Sequence, residues 1–338
     1  MMNSYGKNFR LAIFGESHGP AIGITIDGVP AGFKIDFEKV RADLKRRAPG
    51  NSDLTTTRKE ADEFEILSGV KDGVATGFPI AITIKNTNTR SSDYDKVLRP
   101  SHADWTALLK YGGHADMAGG GHFSGRLTAP LVFAGAIAKQ LLREHGTEIT
   151  AKIVEIEGVS GGGEESFKER ILAAKENLDS VGGVIEVISK GVPAGLGEPF
   201  FGSVESELAA LLFSVPAVKG VEFGAGFGIT KLRGSEANDE LTVENGRIVS
   251  KTNNNGGILG GISNGMPIVV RVAVKPTASI GKEQGSVDPD TMEEVRLSTS
   301  GRHDPCILPR ALPVMEAVVA IGLYDLFAEH NKGGAQRI

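Results

Sequence analysis

The stretch APLVFAGAIAKQLLRE, residues 129–144, is apolar on nearly every face over most of its length. A helix of that kind has to be covered on more than one side. Residues 311–328, ALPVMEAVVAIGLYDLFA, repeat the pattern. The sequence also holds what can cover them. Isoleucines alternate at 22, 24 and 26 and again at 80, 82 and 84, which predicts strands with one face on a core. Val184–Ser189 and Ile268–Val274 are similar β-rich runs. Residues 36–47 read as an amphipathic helix with an Asp36 N-cap, a Pro49-Gly50 stop and a basic outer face. Residues 164–178 and 203–213 read as two further amphipathic helices, in a lobe around residues 150–220. Together these predict an α+β fold with a helical layer enclosed by sheets, rather than a regular βαβ array.

Composition narrows the function classes. Glycine makes up 45 of 338 residues, about twice the usual ~7%, without the period of a collagen. The chemistry is therefore expected in loops. A net charge of −5 argues against general nucleic-acid or anionic-membrane binding, so an anionic ligand must be drawn by a local basic cluster. Cys306 is the only cysteine, which excludes an intramolecular disulfide and multi-cysteine metal sites. The four-residue apolar run Leu11–Phe14 is too short for a signal-peptide core, and a cytoplasmic location is expected.

Gly15-Glu16-Ser17-His18-Gly19 matches the G-x-S-x-G nucleophile elbow, but an elbow opens a helix, whereas Pro20 and the isoleucines that follow predict a strand. A hairpin with a Ser-His tip is the better reading, and its imidazole suits proton transfer. His102-Ala103-Asp104 and His114-Ala115-Asp116 invite a metal reading, but residues 105–109 look helical, where i and i+2 diverge; no metal is expected. Gly119-Gly120-Gly121-His122-Phe123-Ser124-Gly125-Arg126 leads into the buried helix, and amides of such a turn with an arginine favour an anion. Residues 224–228, GAGFG, are not a dinucleotide fingerprint, because Ile229 and Thr230 read as strand. Arg46, Arg47, Arg58, Lys59 and Arg99 can line a pocket for a multiply anionic ligand. Residues 253–265 and 275–279 can supply its walls, and the Arg302-x-Asp304 pair an oriented carboxylate.

Taken in order, GESHG (15–19), RRAPG (46–50), RPSHAD (99–104), GGGHFSGR (119–126), GVPAGLGEP (191–199), GGILGGISNG (256–265), KPTAS (275–279) and GRHDPC (301–306) resemble the blocks of the chorismate synthase family. The resemblance runs through residues 1–338 as a single domain. It implies a β-α-β sandwich, with a buried helical layer between antiparallel sheets, assembled as a homotetramer. It also implies a lyase that converts 5-enolpyruvylshikimate 3-phosphate to chorismate and phosphate by 1,4-anti elimination, with reduced FMN and no net redox change. A chain that reduces its own flavin with NADPH and one served by an external flavin reductase both fit.

By the same resemblance, His18 and His102 are acids near the flavin and the leaving phosphate, Asp304 manages a flavin proton, and Ser17 supports that relay. Arg47, Arg58, Arg99 and Arg126 are substrate-binding positions. Flavin-contacting positions are His122, Phe123, Ser124, Ala237, Asn238, Gly260, Lys275, Pro276, Thr277, Ala278, Ser279 and Arg302. Asp53 stands where many members carry an arginine and is left out of the site. His122 replaces an arginine of the usual glycine loop and is taken as an anion donor when protonated. Two other readings are a flavin or phosphometabolite binder without chemistry and a metal-dependent hydrolase using the His-x-Asp repeats. The retained Ser17, His18, His102 and Asp304 set argues against the first, since binding alone needs no proton relay.

Overall fold

The computed structural model describes residues 3–50, 62–87, 97–298 and 304–332. Two five-stranded sheets, antiparallel at every pairing, dominate it. The first holds β1 (Ser4–Tyr5), β2 (Arg10–Gly15), β3 (Ala21–Asp27), β4 (Phe64–Ser68) and β5 (Ile80–Lys85), in the order β1-β2-β3-β5-β4. The second holds β6 (Glu148–Ile156), β7 (Val159–Ser160), β8 (Gly183–Lys190), β9 (Val218–Phe223) and β10 (Ile268–Val274), in the order β9-β10-β8-β6-β7. The helices of eight residues or more are α1 (Phe37–Arg47), α2 (Asp104–Tyr111), α3 (Thr128–Arg143), α4 (Gly163–Glu176), α5 (Val204–Ser214) and α6 (Leu308–Lys332).

The two isoleucine runs meet across one strand pair. Ile22 faces Ile84, Ile24 faces Ile82 and Ile26 faces Ile80, all six fully buried. Each such side chain stabilises the fold by roughly 1.5–3 kcal/mol relative to exposure. Helix α3 packs on β2, β3 and β5, α6 packs on β6 and β8, and the two helices pack on each other. Their contact is close because Gly135 lacks a side chain: a Cβ there would come within 2.3 Å of Ala317. Both all-round apolar stretches are thus covered on more than one side.

Helix α6 is longer than the pattern predicts. It starts at Leu308 and carries Pro313 inside, one turn from its start, where few backbone bonds are lost. Among the described residues it is the one helix long and apolar enough to cross a bilayer, and most of it is buried in the core. Its two buried acids have partners. Asp325 accepts the amides of Lys7, Asn8 and Phe9 at 2.7–3.1 Å, pinning the N-terminal segment. Glu316 accepts from Arg46 at 2.7 and 2.8 Å and from Lys139 at 3.2 Å.

Two expectations change. Residues 150–220 are not a separate lobe, because α5 lies on α6 and β9 and its Val204 and Leu208 join the same apolar cluster as Ile24. Residues 226–231 form a 3₁₀ turn and not a strand, with Phe227 N–H donating to Glu222. That single short turn is still not the helix a dinucleotide fingerprint opens.

Candidate functional site

The GESHG motif is the tip of the β2–β3 hairpin, with Gly15 paired to Ile22, as the strand reading of residues 21–27 requires. Ser17 is buried, and its amide donates to the Gly121 carbonyl at 3.1 Å. His122 Nδ1 lies 2.8 Å from the Gly15 carbonyl; since a carbonyl only accepts, Nδ1 carries the hydrogen. His122 therefore clips the glycine turn to the end of β2. Gly119, Gly120 and Gly121 all have positive φ (62°, 87° and 51°). A Cβ on Gly119 would sit 2.4 Å from the His18 ring, so the glycine makes room for that imidazole. The two motifs are halves of one structure.

Below them lies a buried charge network. Asp62 Oδ2 accepts from Arg47 Nε at 2.7 Å and Nη2 at 2.5 Å, and its Oδ1 accepts from Arg126 Nη1. The three side chains are between 1% and 6% exposed. Arg47 thus departs from the solvated basic face expected of α1: it turns inward, while Arg46 turns to Glu316. Burial pulls the Arg47 guanidinium below its usual value; Asp62 opposes this, and the neighbouring Arg310 and Arg126 cations add to it. Arginine stays charged through such a shift. Arg126 Nε donates to Asn86 Oδ1 at 3.1 Å, while Asn86 Nδ2 donates to the carbonyls of Glu16 and Gly19 at 3.0 and 2.8 Å. Arg310 Nε donates to the Arg47 carbonyl at 3.0 Å, and its Nη1 holds Asp304 Oδ2.

A second group packs beside the first. Arg99 grips Asp104 through its amide, Nε and Nη2 at 2.7–2.9 Å. Burial resists ionisation of Asp104, but these hydrogen bonds outweigh it and hold the carboxyl below its usual value. His102 Nε2 lies 2.7 Å from Ser279 Oγ, and Lys275 Nζ donates to the Ser101 carbonyl at 2.8 Å, so KPTAS and RPSHAD form one wall. Burial, with Lys219 nearby, lowers the Lys275 ammonium. Ser180 Oγ donates to the Thr277 carbonyl, and the next residue, Val181, donates its amide to Pro305, which places this wall beside Asp304. Phe123 meets Tyr111 edge-on at 6.3 Å, closing the ring of contacts from α2 to the glycine turn.

Other predicted positions lie elsewhere. Ala237 bonds through its carbonyl to Asn254, at the Pro267 end of β10, and Asn238 follows it. Gly260 belongs to the same end, its neighbour Gly261 bonding to Val204. Lys275–Ser279 leave the opposite end of that seven-residue strand, about 20 Å away. Arg58, Arg302 and Asp53 fall outside the described residues. Asp62, Asn86, Arg310 and Ser180 escaped the sequence reading; Asp62 is one acid among several in KEADEFE, and nothing local marks it. Cys306 is fully buried, its thiol pushed up to about 11 by burial, in line with a packed small residue. Among the described residues no group of three histidine, cysteine or acidic side chains can hold a metal.

The donors present suit a planar anionic cofactor. Phe123 offers a partly exposed ring, Gly125 leaves open space where a Cβ would meet nothing within 4 Å, and Lys275 and the arginines supply positive charge.

The sequence profile described as "Chorismate synthase" matches residues 9–328. Proteins named chorismate synthase from Archaeoglobus fulgidus and Dehalococcoides mccartyi are 48% and 45% identical to this chain, over 96% of it and 96% of each relative. One from Thermococcus kodakarensis is 45% identical over 95% of this chain and 96% of its own length. A solved structure titled "Crystal Structure of Chorismate Synthase" superposes with a TM-score of 0.74 at 30% identity, covering 96% of this chain and 93% of that one.

Proposed function

Because the chain belongs to the chorismate synthase family, lyases that require reduced FMN, we propose that the joined network of Ser17, His18, Arg47, Arg126, His102 and Asp304 is its active site. The reaction is conversion of 5-enolpyruvylshikimate 3-phosphate to chorismate and phosphate, the final common step of the shikimate pathway. The observation that carries the site assignment is that one set of contacts links the Ser17–His18 hairpin, the glycine turn, the buried arginines and Asp304.

Arg47 and Arg126, with Arg58 and Arg99, attract and orient the substrate's phosphate and carboxylates, and Arg302 is a flavin-contacting position. His18 at the hairpin tip donates a proton to the departing phosphate, and the Gly119 backbone keeps its ring in place. Ser17 supports that loop. His102, in contact with Ser279, is the second acid, and Asp304, oriented by Arg310, is the carboxylate that takes up a proton. Reduced FMN, when bound, supplies transient electron density that helps expel phosphate. His122, Phe123, Ser124 and Lys275–Ser279 are the near wall of its site. Ala237, Asn238 and Gly260 lie too far along β10 to share that wall within one chain.

The rest of the reading is a single domain of residues 1–338 built as a β-α-β sandwich, a homotetramer in the cytoplasm, and flavin reduced either here or by a separate reductase. The test is anaerobic: pure protein, 5-enolpyruvylshikimate 3-phosphate and chemically reduced FMN, with chorismate absorbance and phosphate release followed together. Equal yields of both, absent with oxidised FMN, are expected. Tight binding without product would instead favour a non-catalytic binder.

A further inference from the structure

Asp62 lies outside every motif that carries the resemblance, yet it is the most enclosed charge of the site, its side chain 1% exposed. One carboxylate serves two guanidinium groups from different parts of the chain: Arg47 at the end of α1 and Arg126 just before α3. Its two oxygens are divided between them, Oδ2 to Arg47 and Oδ1 to Arg126, so the separation of the two cations is set by the width of a single carboxylate. Among the described residues only Nε and Nη2 of Arg47 are engaged, which leaves three of its five N–H donors for a ligand. Arg126 in turn reaches Asn86, which holds the carbonyls on either side of Ser17 and His18.

Stability does not account for such a group. A buried ion pair recovers in attraction about what it loses in desolvation, and apolar side chains of similar volume serve a core as well or better. What a shared carboxylate does supply is geometry: two cations that would otherwise repel are held at one distance and one orientation before any ligand arrives.

We propose that Asp62 is a positioning residue for the reaction, fixing Arg47 and Arg126 as a preformed receptor for the substrate's anionic groups and tying that receptor, through Asn86, to the hairpin that carries His18. This rests on the reading of Arg47 and Arg126 as substrate residues.

The test uses Asp62→Asn, which removes the charge, and Asp62→Glu, which keeps both ion pairs but moves them by one methylene. Thermal unfolding, FMN dissociation constant, KM and kcat are measured for each, beside Arg126→Lys and Arg47→Lys. The expected result for Asp62→Glu is a folded protein with FMN affinity within about twofold of the parent, KM for 5-enolpyruvylshikimate 3-phosphate raised tenfold or more, and a smaller fall in kcat. Asp62→Asn, where it folds, should lose more of both. The loss in Asp62→Asn combined with Arg126→Lys should be less than additive, because both act on one contact. If the arginine variants raise KM while a folded Asp62→Glu keeps parental KM and kcat, the positioning role is wrong and the site reading stands. If Arg47→Lys and Arg126→Lys leave KM unchanged, the reading beneath the proposal fails first. A loss of FMN and substrate affinity in equal measure in Asp62→Glu would mark a general structural role and overturn it too.

Discussion

Replacing Gly119 by alanine tests the interlock between the glycine turn and the histidine hairpin. At φ +62° an L residue costs about 1–2 kcal/mol, and that strain is common to any glycine with a similar angle. What is particular to Gly119 is its neighbour. The new Cβ would lie 2.4 Å from both Cδ2 and Nε2 of His18, against about 3.5 Å for ordinary contact. The ring must retreat by about 1 Å, since the backbone beneath it is pinned by the Ser17–Gly121 and His122–Gly15 bonds. A displacement of that size at an acid in line with its substrate costs about 10²-fold in rate, or about 2.7 kcal/mol of barrier. Gly146→Ala is the control: φ is +83° and the added Cβ meets nothing within 4 Å, so it pays the backbone strain alone. Both variants should show similar falls in thermal midpoint, and only Gly119→Ala should lose single-turnover rate under anaerobic conditions with reduced FMN. A Gly119→Ala enzyme within about threefold of the parental rate would refute the placement of His18 as the acting acid.

His18→Ala and Asp304→Ala should bind substrate and FMN yet turn over far more slowly, by several kcal/mol of barrier if each moves a proton; near-parental turnover in both would remove those roles. Glu316 sits below its usual carboxyl value: burial opposes its ionisation, but hydrogen bonds and attraction from Arg46 and Lys139 prevail. Its contribution is therefore complete above the unfolded value of about 4.3 and fades as pH falls through the folded one. Because Arg46 is well exposed, Glu316→Gln should cost about 1–3 kcal/mol at pH 7, below the range for fully buried pairs, and thermal melts should show the gap to the parent closing below about pH 4. Cys306 should resist thiol reagents at pH 8 in the native protein and react fully once unfolded; fast native labelling would contradict its burial.

Much of the architecture follows from local pattern. The alternating isoleucines, Val184–Ser189 and Ile268–Val274 all became strands, because period-two burial is a property of the strand itself. The Asp36 cap, which accepts the Glu38 and Lys39 amides, and the two apolar helices are equally local, set by capping chemistry and by helical spacing. The ordered motifs, GESHG through GRHDPC, were sufficient to place the chain in its family and to nominate His18, His102 and Asp304. Charge pairing was not legible in this way. Arg46 and Arg47 are adjacent in the basic last turn of α1, yet one turns to Glu316 on α6 and the other to Asp62, a division fixed by where β4, α3 and α6 pack around α1. Asp304 is held by Arg310, six residues further along, a partner that nothing in the local pattern marks. Periodicity and capping act between neighbours in the chain, and the sequence by itself determines them. Which arginine meets which carboxylate depends on contacts between residues such as 62 and 126, or 46 and 316, and only the tertiary structure decides those.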